Sequence, residues 1–573
     1  MEKESPFLPL PEKTLESIKT IDDTIKTIPN KYFNYGTAGF RFNEDLLEKI
    51  SFRSSILTCL LSMSKNSLPY GIMLTASHNT YTDNGVKIAG LNGEMINHDE
   101  EILMEEIANS KNLIETIKSI VDKLKIKQHR CIVILGNDTR RSNKKLSEIM
   151  IKGFKCFDSC EYNFYNVITT PALHFLTKVS QMAFEKIGIK NKMIFPPEND
   201  YWNFLGGTYQ GFNEYYDKYF KKEECKKYNK ELVIDCANGL SGYCKDKINE
   251  VLQKGNKDLK VYFINVDYLA YEKLNNNCGA EFTHKERKYP LNKVEQYPNI
   301  IKNLSFDGDV DRIIYYIYNK DINENIKLID GDRLIVLYST ILNYFIKLLS
   351  PNLQNKFYEN INIGIITTAY ANGSLMKYIE EKLKGLKLDL AKTGVKYLHT
   401  KARNYDIAVY FEANGHGTIY CNEKLIEKFN LLNSLIENSK DSQILELMQK
   451  YISMFNPSIG DSISSLIATE SALKVLDYSI EDVYLMYKEL PALNTKVSVK
   501  DKNIFKTNDN ETRLVEPENV QKIIDEVVAK CKNGRAFIRP SGTEDVVRIY
   551  AEAESIEEAK EITNHLVEAL KNY

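Results

Sequence analysis

Phe306-Asp-Gly-Asp-Val-Asp-Arg312 carries carboxylates at alternating positions, Asp307, Asp309 and Asp311, with an arginine directly after them. When such a loop curls, the three side chains can converge on one hard cation; packed together without one, they repel. Three carboxylates with coordination left open suit magnesium, which keeps positions for phosphate oxygens or water. A calcium-binding EF-hand fails on spacing. Counting Asp307 as position one, position six is Arg312 where glycine is required, and position twelve is Tyr318, not glutamate. The plainer alternative is a solvated acidic turn, against which the mutual repulsion argues. The run that follows, Arg312–Tyr318, is rich in β-branched and aromatic residues and reads as a strand.

Other strand-like runs alternate with helical ones on both sides of this loop, the pattern of α/β domains. Strands are expected at Gly71–Thr75, Cys131–Leu135, Leu232–Asp235, Val261–Val266, Ile363–Thr367 and Ile407–Tyr410. Helices are expected at Ser54–Ser64, Lys144–Cys156, Leu334–Leu348 and Ser374–Lys384. Phe195–Tyr209, with Pro196-Pro197, Gly206-Gly207 and the single tryptophan Trp202, reads as a loop or linker. Asn456-Pro457 and Gly460-Asp461 precede a helix, and a compact tail follows from about Tyr478. That tail ends as strand, loop, strand and helix: Arg535–Ile538, Arg539–Asp545, Val546–Glu552 and Ile556–Lys571.

Five further loops offer chemistry. Thr75-Ala-Ser-His-Asn79 follows a strand, so the hydroxyl of Ser77 can project into a cleft, and Lys87 ten residues on can neutralise phosphate or assist proton transfer. Ser77 and His78 are adjacent; in an extended segment they point apart and make a poor nucleophile–base pair. No G-x-S-x-G elbow surrounds Ser77, which argues against a serine hydrolase. Phe411-Glu-Ala-Asn-Gly-His-Gly-Thr418 offers Glu412, Asn414 and His416 to sugar hydroxyls, with His416 also able to act as acid or base. A strand-to-helix turn is the structural alternative. Arg539-Pro-Ser-Gly-Thr543 can cradle phosphate: Arg539 bidentately, Ser541 and Thr543 through hydroxyls, Gly542 by letting backbone amides approach, with Arg548 as a second cation. Lys392-Thr-Gly-Val-Lys396 and Tyr35-Gly-Thr-Ala-Gly-Phe-Arg41 are weaker loops of the same kind.

At 573 residues the chain is long enough for roughly four domains of about 150 residues. Lys and Arg total 76 against 78 Asp and Glu, and that balance excludes a strongly cationic nucleic-acid binder. The ten cysteines are scattered without a C-x-x-C pair, as in a reducing cytoplasm. The opening MEKESPFLPL lacks an apolar stretch of signal length, and Leu334–Leu349, interrupted by Asn343 and Lys347, is too short to span a bilayer. A cytoplasmic protein with no membrane or nucleic-acid partner is therefore expected; oligomeric state is not legible.

Taken in order along the chain, the serine, aspartate, glutamate and arginine loops resemble those of the α-D-phosphohexomutase superfamily. Glu412-Ala-Asn-Gly-His-Gly-Thr418, with Asn414 where many relatives carry serine, and Thr393-Gly-Val-Lys-Tyr-Leu-His399 resemble the branch that acts on acetylated glucosamine phosphate. Two positions depart from the pattern: Thr80 stands where proline is usual and Asn137 where arginine is usual. The resemblance implies an α/β fold of four domains around a central cleft, three related α/β units with mixed sheets and a C-terminal α+β domain. Their expected extents are 1–205 with the serine loop, 206–330 with the metal loop, 331–475 with the sugar loop and 476–573 with the phosphate loop. It implies that Ser77 carries a phosphoryl group and also ligates Mg2+ with Asp307, Asp309 and Asp311. Arg41, His78, Lys87 and His416 join Ser77 as the catalytic set, with Arg312 also suited to the transferring group. Thr393, Gly394, Glu412, Ala413, Asn414, Arg539, Pro540, Ser541, Gly542, Thr543 and Arg548 hold the substrate. The implied reaction interconverts the 6- and 1-phosphates of N-acetylglucosamine through a sugar 1,6-bisphosphate, supplying UDP-N-acetylglucosamine synthesis. A mutase for glucose, mannose or glucosamine phosphate, or a non-catalytic sugar-phosphate binder, is the alternative.

Overall fold

The computed structural model describes residues 8–26, 31–36, 39–188, 191–221, 223–319, 326–436, 438–541, 546–571 and 573. Its contacts divide the chain into two compact units. One comprises Met1–Lys222, Asn229–Leu328 and Ser453–Ala468; the other comprises Glu223–Tyr228, Ile329–Ile452 and Thr469–Tyr573.

Three mixed sheets follow one another. The first contains β1 (Phe40–Asn43), β2 (Tyr70–Leu74), β3 (Asp83–Ala89), β4 (Cys131–Asn137) and β5 (Cys160–Val167), in the order β1-β3-β2-β4-β5. The second contains β6 (Glu231–Asp235), β7 (Lys260–Ile264), β8 (Lys302–Phe306), β9 (Ile313–Ile317) and β10 (Lys327–Ile329), ordered β10-β9-β8-β6-β7. The third contains β11 (Ile363–Thr368), β12 (Lys387–Ala391), β13 (Ile407–Phe411) and β14 (Gly417–Cys421), ordered β12-β11-β13-β14. The tail adds an antiparallel sheet of β15 (Ala492–Ser498), β18 (Arg535–Pro540) and β19 (Val546–Glu552). A small hairpin, β16 (Lys506–Thr507) with β17 (Leu514–Glu516), lies between them in sequence.

In each mixed sheet one strand is parallel to a neighbour on one side and antiparallel to the next strand in sequence on the other. Thus β2 pairs parallel with β4 and antiparallel with β3. Likewise β8 lies between β6 and β9, and β13 between β11 and β14. The connections β2–β3, β8–β9 and β13–β14 carry the serine, aspartate and glutamate loops. The fourth loop joins β18 to β19 in the same antiparallel manner. Chemistry at the carboxyl ends of parallel strands is a general property of α/β sheets.

The central strands are apolar because helices cover both faces: all seven residues of β4 are buried. Leu47–Ser64 is a helix buried almost throughout, inside the core built on Leu60, Ile72, Val133 and Phe154. The expected strands are all present with ends shifted by one or two residues. Leu334–Leu348 lies within the helix Gly331–Leu348, capped by Asp330, whose carboxylate accepts from Arg333 N at 3.3 Å. Among the described residues no helix is long and apolar enough to cross a membrane.

One expected loop is a helix. Asn199–Tyr219 is continuous, so Trp202 and Gly206-Gly207 sit inside it; only the Pro196-Pro197 part of Phe195–Tyr209 stays outside. Tyr201, Trp202, Leu205, Tyr209 and Phe212 are buried at helical spacing. That packing outweighs the propensity cost of two glycines, about 1 kcal/mol each. The strand-to-helix alternative for the glutamate loop does not hold. The loop is the turn of a hairpin, with Phe411 opposite Gly417, and no helix follows directly.

Candidate active site

Ser77 stands in the β2–β3 connection in a left-handed conformation, φ 50°. The extended geometry expected for Ser77-His78 is therefore wrong; the turn, held by Ser77 N donating to Thr75 Oγ1 at 2.9 Å, aims the hydroxyl. Ser77 Oγ donates to Asp309 Oδ2 at 3.1 Å. The same oxygen accepts from Thr170 Oγ1 at 2.7 Å and from Lys87 Nζ at 2.8 Å. Lys87 Nζ also reaches Asp311 Oδ2 at 2.9 Å. Burial works against the Lys87 charge, but Asp309 and Asp311 more than offset it and raise its pKa, so it stands as an ammonium.

Asp307, Asp309 and Asp311 are buried, and one oxygen from each lies within 4.8 Å of the others. Asp307 Oδ1 accepts the N–H groups of Asp311 and Arg312 at 3.1 and 3.2 Å, which curls the loop. Asp307 Oδ2 and Asp309 Oδ1 are buried with no hydrogen-bond partner among the described residues. Burial first, then Asp311 and Asp309, drives the Asp307 carboxyl well above its ordinary range. Orphaned carboxylate oxygens converging in a buried loop are the donor set that a small hard cation satisfies. These residues therefore fit a divalent metal.

Two backbone features hold this geometry. Val310 has φ 68°, a strained conformation for a β-branched residue, and Ser462 Oγ donates to its carbonyl at 2.6 Å. Gly308 passes so close to the serine loop that a Cβ there would meet Ser77 O at 2.5 Å.

Arg41 lies on β1 opposite Gly85; burial and then Arg312 lower its pKa, while Asp311 and Asp309 act in the other direction. Arg312 Nη1 donates to Glu281 Oε2 at 2.9 Å, and its Nε is 3.9 Å from both Asp307 Oδ2 and Asp311 Oδ1. His78 is held neutral by burial and by Arg312 and Arg41, which leaves its ring a very weak base. Ser77, Lys87 and the aspartates thus meet, with Arg41 and Arg312 in their field.

Arg140, Asp138, Thr170 and Asn275 were not singled out in the sequence, yet they build this site. Arg140 is fully buried, and its Nε donates to Asp138 Oδ2 at 3.0 Å. Its Nη1 donates to the carbonyls of Thr80 and Asp83 at 2.5 and 2.7 Å, and its Nη2 to those of Asn79 and Ser77 at 2.7 and 3.2 Å. Asn275 Nδ2 donates to Ser77 O and Asn79 O, each at 2.9 Å. The signals were faint: Thr170 precedes Pro171 at a helix start, and Asn275 lies in an asparagine triplet.

In the second unit, Glu412 N donates to His416 O at 2.9 Å and His416 N to Asn414 Oδ1 at 3.0 Å, which closes the glutamate loop. Ala413 O accepts from Gly331 N at 3.2 Å. Arg539 and Arg548 are direct partners across β18 and β19, and Ser541 N donates to Val546 O at 2.9 Å. Pro540 ends β18; Gly542 and Thr543 of the arginine loop, like Thr37 and Ala38 of the N-terminal one, lie outside the described residues. Thr393 and Gly394 precede the helix Val395–Ala402, and Gly394 takes φ 124° at its cap.

A family model described as phosphoacetylglucosamine mutase AMG1, domain III, matches residues 330–478. Phosphoglucomutase/phosphomannomutase models match 54–115 and 104–189 as α/β/α domain I, and 495–569 as the C-terminal domain. Over 556 residues the chain is 36% identical to the phosphoacetylglucosamine mutase of Candida albicans, spanning 94% of this chain and 96% of that one. The chain belongs to the phosphoacetylglucosamine mutase family. The Homo sapiens phosphoacetylglucosamine mutase is 34% identical, over 93% and 92% of the two chains. Among solved structures, an N-acetylglucosamine-phosphate mutase in its substrate complex, a member of the α-D-phosphohexomutase superfamily, superimposes with a TM-score of 0.85 at 34% identity, covering 97% of this chain and all of that one. The Aspergillus fumigatus N-acetylphosphoglucosamine mutase, solved with GlcNAc-6P and magnesium, gives 0.85 at 30% identity, covering 98% and 99%. Phosphoacetylglucosamine mutases thus resemble this chain across its length, not at one motif alone.

Proposed function

We infer that this chain is a phosphoacetylglucosamine mutase, converting N-acetylglucosamine 6-phosphate to the 1-phosphate through phosphoserine at Ser77. The observation that carries this reading is Ser77 Oγ seated on Asp309, beside the Lys87 ammonium, in a chain matched to the family over nearly its full length. Asp307, Asp309 and Asp311 would hold Mg2+, which when bound supplies positive charge to phosphoryl oxygens.

In the proposed cycle the 1-hydroxyl of the sugar attacks the phosphorus on Ser77. A sugar O–P bond forms, the Ser77 O–P bond breaks, and the serine oxygen takes up the proton that the hydroxyl gives up. The bisphosphate then returns its 6-phosphate to Ser77. Lys87, held protonated, neutralises the transferring group and donates hydrogen bonds; accepting a proton would require it to leave its two aspartates. Arg41 and Arg312 add cationic field. Glu412 and Asn414 orient sugar hydroxyls, while Arg539, Ser541 and Arg548 grip the non-reacting phosphate. We assign the protein to the cytoplasm, which the ten free cysteines support.

The test is turnover of N-acetylglucosamine 6-phosphate with Mg2+ and a trace of sugar 1,6-bisphosphate, beside Ser77→Ala. Activity in wild type that vanishes in the variant supports the reading. Preference for glucose 6-phosphate would overturn the substrate, and full activity in Ser77→Ala the mechanism.

A further inference from the structure

Arg539, proposed above to grip phosphate, already holds an anion from its own chain. Its Nη1 donates to Glu511 Oε1 and Oε2 at 3.0 and 3.1 Å. Glu511 Oε2 also accepts from Thr393 N at 3.0 Å and Thr393 Oγ1 at 2.8 Å. A guanidinium, a backbone N–H and a hydroxyl converging on two oxygens is the donor set of an anion site. Only 17% of the Arg539 side chain and 15% of the Glu511 side chain are exposed, so the pair is partly shielded from water. The cation is braced from behind: Nε donates to Tyr370 Oη at 3.1 Å, and the guanidinium lies 5.6 Å from the centre of that ring.

The turn that presents Glu511 is built for that position. It links β16 to β17, and Glu511 takes φ 56°, a left-handed conformation that glutamate rarely adopts. Asn508 Oδ1 accepts from Thr512 N at 3.0 Å and Arg513 N at 3.2 Å, while Glu511 N donates to Asn508 O at 3.1 Å. These bonds hold the turn in the conformation that presents the Glu511 carboxylate to Arg539 and Thr393.

We propose that Glu511 is a resident competitor at this site, whose carboxylate stands in for the substrate phosphate and is displaced by phosphate but not by a weaker anion. This rests on the reading of Arg539 as the phosphate-gripping arginine. A carboxylate brings one negative charge and two acceptor oxygens. A phosphate monoester near neutral pH brings about 1.5 to 2 charges and three terminal oxygens. Phosphate therefore displaces Glu511 where a monoanion such as formate or a neutral sugar does not. Glu511 thereby lowers the affinity for every anion and filters out the weak ones.

The experiment is calorimetric titration of the full chain with inorganic phosphate and with sodium formate, in wild type, Glu511→Gln, Glu511→Asp and Arg539→Ala. Glu511→Gln is expected to bind phosphate about fivefold more tightly than wild type. It should also bind formate, which wild type does not. Glu511→Asp, charged but one methylene shorter, should fall between the two, and answers the question if Glu511→Gln does not fold. Phosphate affinity unchanged or weaker in the folded variants would overturn the proposal and make Glu511 a brace for Arg539. Wild-type phosphate binding in Arg539→Ala would instead overturn the reading of Arg539. None of these measurements needs turnover.

Discussion

Ser77 Oγ and Asp309 Oδ2 are 3.1 Å apart, and that carboxylate oxygen is shared with Thr170 and Lys87. One aspartate therefore links the Ser77 hydroxyl, a helix start and the Lys87 ammonium. Ser77→Ala is expected to lower kcat by on the order of 10^3-fold or more while leaving the fold intact. Labelled sugar bisphosphate should mark wild type and not the variant; label on the variant would count against Ser77.

Binding of Mg2+ should raise the melting temperature, because it satisfies buried carboxylates that otherwise repel. At a hundredfold excess over Kd the gain is about 2.7 kcal/mol. Asp307→Asn, which removes one charge from the loop, is expected to abolish that Mg2+-dependent shift in a thermal melt. A shift of wild-type size in this variant would argue against the three-aspartate site.

Arg140→Ala should destabilise the chain by about 3 kcal/mol or more, since Asp138 keeps Thr75 and Asn143 but is left buried without a cation. Arg140→Lys should rescue little, because one ammonium cannot reach acceptors spread over Ser77, Asn79, Thr80 and Asp83. Urea unfolding with parallel kinetics reads both effects. Unchanged activity in a folded Arg140→Ala would mean the serine loop holds itself.

Gly308→Ala tests the close approach of the aspartate loop to the serine loop. The added methyl would lie 2.5 Å from Ser77 O, so one backbone must shift. A displacement near 1 Å costs about 100-fold in rate, and kcat should fall by roughly that factor, with Mg2+ affinity also reduced. Wild-type kinetics would show that the two loops can separate freely.

Much of the candidate site in the first unit was legible because its groups are chemically conspicuous: alternating aspartates and a serine after a strand. The Asn199–Tyr219 helix was missed because two prolines and two glycines mask an aromatic face that only packing reveals. Arg140 and Asn275 were missed for another reason. Apart from the Arg140–Asp138 pair, they act on backbone carbonyls, and any loop supplies those, so these partners are not visible in sequence. The run Asn275-Asn276-Asn277 concealed one asparagine that ties down the serine loop. The conformations of Ser77 and Val310, left-handed although neither is glycine, are set by surrounding contacts and leave no mark in the local sequence.

Each of the four loops is anchored at both ends on adjacent hydrogen-bonded strands, roughly 5 Å apart. Closing so short a gap costs little entropy, and the strands retain their register whatever side chains the loop carries. Such loops behave as interchangeable fittings on a fixed frame. On the proposed function, exchange of Asn414 is expected to change which sugar is accepted while leaving the Ser77–Asp309 contact undisturbed.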